Sequence, residues 1–160
     1  MEFLSSKINY NFDDFIYADM KKMRYLYEYV ADDTILDVRT FSELFMRSGI
    51  RELMDKWHGR YSNRDVPELL KDFMEAEEPA LIPKTEDVGG IVASWIGMAY
   101  SFFCYYMSMS SKEVVELLDF DTMLRYFSIG HEMSFEGWAN RVIREVNEYR
   151  ESLAEVNDVH

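Results

Sequence analysis

Residues 88–111 read VGGIVASWIGMAYSFFCYYMSMSS and contain no charged side chain, although Lys, Arg, Asp and Glu make up 29% of the chain. So long an uncharged run is either a membrane span or a helix buried on nearly all sides. Five serines, three tyrosines and three glycines dilute its hydrophobicity, and no basic cluster flanks it. This composition favours a buried helix at the centre of a compact helical protein over a membrane span.

Two stripes run along this central helix. Large side chains recur at the i, i+3, i+4 and i+7 positions of one face. They are Val88, Ile91, Val92, Trp95, Ile96, Ala99, Phe102, Phe103 and Tyr106. The small side chains of the second stripe are Gly90, Ser94, Gly97, Ser101, Cys104 and Ser108. We expect another helix to approach closely along the small stripe.

The remaining chain is also typical of helices joined by short loops, since no alternating run indicates a strand. Glycine is expected to end the second helix at Ser48-Gly49 with a left-handed cap, and Asp65 to cap the fourth. A capping box at Ser110 and Glu113 opens a later helix. Further helices are expected over residues 13–30, 41–47, 50–57 and 122–129, and from Ser134 onward. The first of these has a core face of Ile16, Met20, Met23, Tyr27 and Val30. The last has a core stripe of Phe135, Trp138, Val142, Val146, Tyr149 and Leu153.

We therefore predict an all-α fold, a compact single-domain bundle of about seven helices spanning residues 1–160. An acidic, proline-containing linker at 75–87 is expected between two helical halves. A hydrophobic content of 48% excludes a disordered chain. One cysteine, and a start that lacks the pattern of a secretory signal, predict a cytoplasmic protein.

The sequence offers little that is typical of catalysis. Its three histidines, at 58, 131 and 160, have no second ligand at metal-binding spacing, and the acidic clusters lack the glycine-punctuated pattern of a calcium loop. No phosphate loop, nucleophile elbow or dinucleotide fingerprint occurs. The net charge of −13 argues against direct binding to nucleic acid and is compatible with a basic partner or with a role in solubility alone. We predict no metal, no cofactor and no enzymatic activity.

Aromatic residues are better candidates for a binding surface. At about 100° per residue, Tyr25 and Tyr29 fall roughly opposite the core stripe of the first helix, and tyrosines on a solvent-facing side favour a protein interface. The alternative is that another layer of helices in the same domain covers this face. A second candidate partner-binding patch comprises Trp57, His58, Arg60 and Tyr61, with the same alternative.

Three segments carry a resemblance to a known family: Phe41-x-x-Leu44-Phe45 with Ser48-Gly49-Ile50, Trp95 with Gly97, Ala99-Tyr100 and Tyr106, and His131-Glu132. With them, nearly the whole chain resembles a family of small, uncharacterised helical proteins of anaerobic bacteria and their mobile elements. Members are commonly encoded beside a predicted toxin, often with an ADP-ribosyltransferase-like domain. The chain departs from the family after Trp57, where HGRYSNRDVPELL replaces a Gly-Asn-Pro-Lys type of loop. The resemblance implies an antitoxin or immunity-type partner of such a toxin and brings no catalytic residues.

Three classes of function follow from these observations. The first is a non-catalytic protein that neutralises a co-encoded toxin by binding it. The second is an acidic, phage-borne inhibitor that imitates nucleic acid and occupies a basic groove. The third is an enzyme whose site is assembled from distant acidic and tyrosine residues. We favour the first class, with a protein partner and neither nucleic acid nor membrane as ligand.

Overall fold

The computed structural model describes residues 2–6, 14–56 and 61–158, and it confirms the predicted all-α fold. These ranges contain eight helices and one isolated β-bridge, where about seven helices were expected. The helices are α1 (Asp14–Asp33), α2 (Val38–Met46), α3 (Gly49–Asp55), α4 (Val66–Glu77), α5 (Gly90–Met107), α6 (Ser111–Leu117), α7 (Phe120–Gly130) and α8 (Phe135–Asp158).

Helix α5 is the predicted central helix. Fourteen of its 18 residues are buried, and it packs most extensively against α1, with α6, α7 and α8 around it. The prediction that Ile91 lies on the buried face is wrong. Its side chain is 81% exposed, so none of the described helices covers that side of the first turn of α5. Ser108 ends the helix in a left-handed conformation, φ 51°, instead of continuing the small stripe. Within the described ranges, no helix is long and apolar enough to cross a membrane.

The small stripe lets α1 approach α5 closely, as predicted. A Cβ atom placed on Gly97 would lie only 2.5 Å from the carbonyl oxygen of Met23 and 2.9 Å from Cγ of Tyr27. At the other end of the contact, a Cβ on Gly90 would collide with the carboxylate of Asp32. The two helices meet at this distance because glycine leaves room for the backbone of α1.

Side-chain caps define where several helices begin. The predicted Asp65 cap and the Ser110–Glu113 capping box are both present. The prediction for Ser48-Gly49 is wrong: Ser48 caps the start of α3, accepting a hydrogen bond from the amide of Arg51. No glycine among the described residues has a positive φ. A serine hydroxyl can accept a hydrogen bond from a free amide in the first turn of the following helix. Ser48 therefore begins α3, and Gly49 does not end α2.

The proline-containing segment between α4 and α5 is attached to the turn between α1 and α2. Leu36 and Pro83 form the β-bridge, and the amide of Asp37 donates to the carbonyl of Ile82 at 2.8 Å. The ammonium of Lys84 donates to the carbonyl of Ala31 at 2.9 Å. Apolar side chains from both sides of this segment belong to one core cluster.

Helix α8 only partly follows its predicted core stripe. Trp138 and Val142 are fully buried, whereas Tyr149 is 65% and Leu153 37% exposed. A helix of 24 residues is about 36 Å long. Its C-terminal third extends past the helices that cover its beginning, so an apolar spacing does not guarantee burial there.

Candidate functional site

The outward face of α1 carries aromatic rings next to cationic side chains. Tyr17 is 52% and Tyr25 48% exposed. The ammonium of Lys21 lies 5.4 Å from the ring centre of Tyr17, and the guanidinium of Arg24 lies 5.5 Å from that of Tyr25. Such cation–π contacts hold each ring in place while leaving much of it exposed. In a chain of net charge −13, this face places two cations against exposed aromatic rings.

The start of α4 borders this face and forms a shallow depression of about 500 Å³ with it. Asp65 and Val66 line its far side. Lys22 donates to the carbonyl of Arg64, and Arg64 makes a two-pronged ion pair with Asp72 at 2.9 and 3.0 Å. These bonds fix the loop before α4 relative to α1, so the depression has a defined shape.

Of the two tyrosines predicted to form a partner-binding pair, only Tyr25 is exposed. Tyr29 is half-buried and packs against the core. The reason is Leu26, which is fully buried and extends the core side of α1 beyond the predicted stripe. Tyr29, three residues later, lies about 60° from Leu26 around the helix and follows it inward. The role of Tyr25 and Tyr29 in binding a partner stays a prediction.

The second predicted patch can be placed only in part. Trp57, His58 and Arg60 lie outside the described residues. Tyr61 is half-buried and packs against the core cluster. The structure therefore gives no geometry for a patch that joins the four residues.

The structure contains a buried ionic cluster that no pattern in the sequence predicts. Arg51 is 1% exposed, and its guanidinium donates two hydrogen bonds to the carboxylate of Asp19, at 3.1 and 3.0 Å. Its Nε donates to Oγ of Ser111 at 2.8 Å, and that hydroxyl donates to Asp55 at 2.7 Å. Ser101 also donates to Asp19. The cluster links α1, α3, α5 and α6.

The electrostatics of this cluster keep Arg51 charged. Burial alone would lower the pKa of Arg51, but Asp19 and Asp55 outweigh that effect and hold the pKa well above its ordinary value. Each charged group of the cluster is already paired with another of its groups, so the cluster has a structural role. We call it the ionic clasp. The sequence signal that could have indicated this cluster is the pair of serines inside the uncharged stretch, Ser101 and Ser111, because a buried hydroxyl needs a hydrogen-bond partner.

Two other candidate groups have structural surroundings. Burial raises the pKa of the Cys104 thiol to about 12, which makes it unreactive at neutral pH, and its sulfur lies 3.6 Å from Oγ of Ser111. His131 caps the end of α7, with its ring stacked on Phe127. Across the described ranges, no group of three or more His, Cys, Asp or Glu side chains could hold a metal ion.

Comparison of the chain with protein-family models, curated proteins and solved structures gives no match. The geometry of the described residues defines an all-α protein with a buried ionic clasp and an exposed face on α1 where cations contact aromatic rings.

Proposed function

We propose that this chain is a non-catalytic protein that binds another protein and neutralises a toxin encoded beside it. The observation that carries the proposal is the α1 face, where Tyr17 and Tyr25 are about half exposed. Tyrosine is enriched at the centres of protein interfaces, where it buries a large area at low entropic cost. The resemblance to toxin-associated helical proteins suggests the kind of partner, an ADP-ribosyltransferase-like toxin, and a cytoplasmic site of action.

The rigidity of the α1 face supports a binding role. The opposite side of α1 is packed along α5, and the depression beside Tyr25 is fixed by the bonds from Lys22 and Arg64. A preformed surface loses little conformational freedom when a partner binds. The ionic clasp supports a non-catalytic role, because its charged groups form ion pairs with each other inside the protein and leave no free acid or base there.

The acidic inhibitor remains a second candidate because of the end of α8. Glu148, Glu151, Glu155 and Asp158 are exposed on its last three turns. Carboxylates in such a row can occupy a basic groove. This candidate predicts binding to a nucleic-acid-binding protein that added DNA or RNA reverses.

Binding to the neighbouring gene product tests the proposal directly. The full chain is co-expressed with the protein encoded beside it, and growth rescue, co-purification and Kd are measured. We expect Tyr17→Ala combined with Tyr25→Ala to weaken binding about 30-fold, equivalent to about 2 kcal/mol, because two aromatic contacts are lost. Rescue of growth should fall accordingly.

The control variant is Ile91→Ala, which removes an exposed apolar side chain from α5. It should bind and protect as the wild type does. Circular dichroism and thermal unfolding show whether the tyrosine variant is folded. If the wild-type chain does not bind the protein encoded beside it, the proposed function is wrong. If the Tyr17→Ala, Tyr25→Ala variant is folded and protects fully, the α1 face is not the interface.

A further inference from the structure

Helix α8 binds a short segment of the chain, residues 2–6, through two of its side chains. The segment belongs to no helix. The amide of Leu4 donates to Oδ1 of Asn147 at 2.7 Å, and Nδ2 of Asn147 donates to the carbonyl of Leu4 at 2.8 Å. Arg150, about one turn further along α8, donates to the carbonyl of Glu2. The helix thus holds the backbone of the segment at three points.

The pattern of these bonds is that of an extended backbone. In an extended chain, the N–H and C=O of one residue point to the same side, and so do those of the residue two positions away. The bonded groups are the N–H and C=O of Leu4 and the C=O of Glu2, so they follow this period of two. Asn147 exchanges two bonds with Leu4, as a hydrogen-bonded residue of an antiparallel strand would.

The segment is recognised through its backbone and one apolar side chain. Leu4 is half-buried and packs against the core cluster, whereas Glu2, Phe3, Ser5 and Ser6 are exposed. All hydrogen bonds between the segment and the other described residues use its backbone atoms. When an extended peptide is bound in this way, backbone bonds give affinity and a side-chain position gives specificity. The site therefore requires an extended backbone with an apolar side chain at the position of Leu4.

This attachment can open while the helices stay folded. Four of the five residues of the segment are exposed, and parts of a protein with few buried contacts open at a low free energy. Opening leaves Asn147 with an unpaired donor and an unpaired acceptor at the surface of α8, and it uncovers the apolar position filled by Leu4. An extended segment of another protein has the groups to satisfy both.

We propose that the surface of α8 around Asn147 and Arg150 is a binding site for an extended peptide segment of a partner protein, and that residues 2–6 occupy it as an internal ligand. The partner's segment carries a leucine-like side chain at the position of Leu4 and displaces residues 2–6 by making the same backbone bonds. Because the internal ligand belongs to the same chain, it competes at an effective concentration of roughly millimolar. The site lies on a different helix from the α1 face and does not depend on a toxin as partner.

A peptide with the sequence of residues 2–6 tests this inference on the full chain. The probe is acetyl-Glu-Phe-Leu-Ser-Ser-amide, and NMR follows the side-chain amide of Asn147 together with the backbone amides of α8. The protein variant is Leu4→Ser, which removes the contact of the internal ligand with the core and so vacates the site. We expect the peptide to bind this variant at least about tenfold more tightly than the wild type, because the internal competitor is weakened.

Matched variants separate loss of the internal ligand from general effects of substitution. Phe3→Ser changes a side chain of the same segment that is 53% exposed, and peptide binding should stay as in the wild type. In the Leu4→Ser chain, adding Asn147→Ala should lower the peptide affinity at least about tenfold. Adding Asn157→Ala instead, at an exposed asparagine of the same helix, should leave the affinity unchanged. Circular dichroism checks folding, and Leu4→Ala is a milder second variant.

Two altered peptides test the backbone bonds and the apolar position separately. Methylation of the leucine nitrogen removes the donor to Asn147, and replacement of the leucine by serine removes the apolar contact. Each altered peptide should bind the Leu4→Ser chain at least about tenfold more weakly than the unaltered peptide.

The proposal is overturned if the unaltered peptide leaves the Asn147 signal of the Leu4→Ser chain unchanged at roughly 5 mM, or if the methylated peptide binds equally well. Sedimentation of the wild type supplies the remaining outcome. A concentration-dependent dimer that Asn147→Ala dissociates would show that residues 2–6 of a second copy occupy the site, and would also overturn the proposal.

Discussion

The contact between α1 and α5 makes Gly97→Ala a severe test of the packing. The new Cβ would lie 2.5 Å from the carbonyl oxygen of Met23, whereas ordinary contacts begin at 3.4 Å, so the helices must separate locally by about 0.9 Å. The ring of Tyr27, 2.9 Å from the same Cβ, cannot turn aside easily because its hydroxyl is bonded to Ser42 at 2.7 Å. Backbone and an anchored ring both oppose the added methyl group.

The expected magnitude follows from two opposing effects. Overpacking a tight core contact costs about 1–3 kcal/mol or more, and replacing a helical glycine by alanine recovers about 1 kcal/mol. Because the nearest atom is backbone, we place the overpacking cost at the upper end and expect a net loss of about 2 kcal/mol. For a chain of this size, that lowers Tm by about 4–8 °C. Differential scanning calorimetry measures the shift.

The matched control is Gly89→Ala, where the added Cβ has no atom within 4 Å. Gly89 caps α5, so its substitution should cost less than about 1 kcal/mol. If Gly97→Ala has an unchanged or higher Tm, the close approach of α1 to α5 is refuted. Gly97→Leu should then also be tolerated, which the present packing excludes.

The buried clasp and thiol give two more predictions. Arg51→Met should cost about 3 kcal/mol in urea unfolding, because it leaves the carboxylates of Asp19 and Asp55, only 10% and 16% exposed, without their cation. Arg47→Met, at an exposed ion pair, should cost less than about 1 kcal/mol. Similar losses for the two variants would contradict the clasp. Burial raises the pKa of Cys104 to about 12, so in the native protein it should not react with a thiol reagent at pH 8. In guanidinium chloride it should react fully. Rapid labelling of the folded protein would contradict this prediction by showing that the thiol is accessible.

Local patterns predicted the helices well. The uncharged run at 88–111 identified the central helix because charge is rarely tolerated in a core. Asp65 and Ser110 marked helix starts because a side-chain acceptor beside an unbonded amide has a defined local use. Each of these signals depends on residues close together in sequence.

The features that sequence did not reveal depend on distant partners. Arg51 resembles a surface residue until Asp19, 32 positions earlier, is brought beside it. Helical spacing favours an outward position for Tyr29 and a buried one for Ile91, and the structure differs at both, because spacing fixes an angle but not whether a neighbouring helix reaches that angle. The end of α8 shows the same limitation, since its stripe continues after the core has ended.

The α1–α5 contact also has a consequence for synthesis of the chain. Met23 and Gly97 are 74 residues apart. At ordinary translation rates, the ribosome takes about 4–15 s to add that length. During this interval the apolar face of α1, including Leu26 and Val30, has been made but its main partner has not. Chaperones and aggregation compete with folding for that face until α5 emerges.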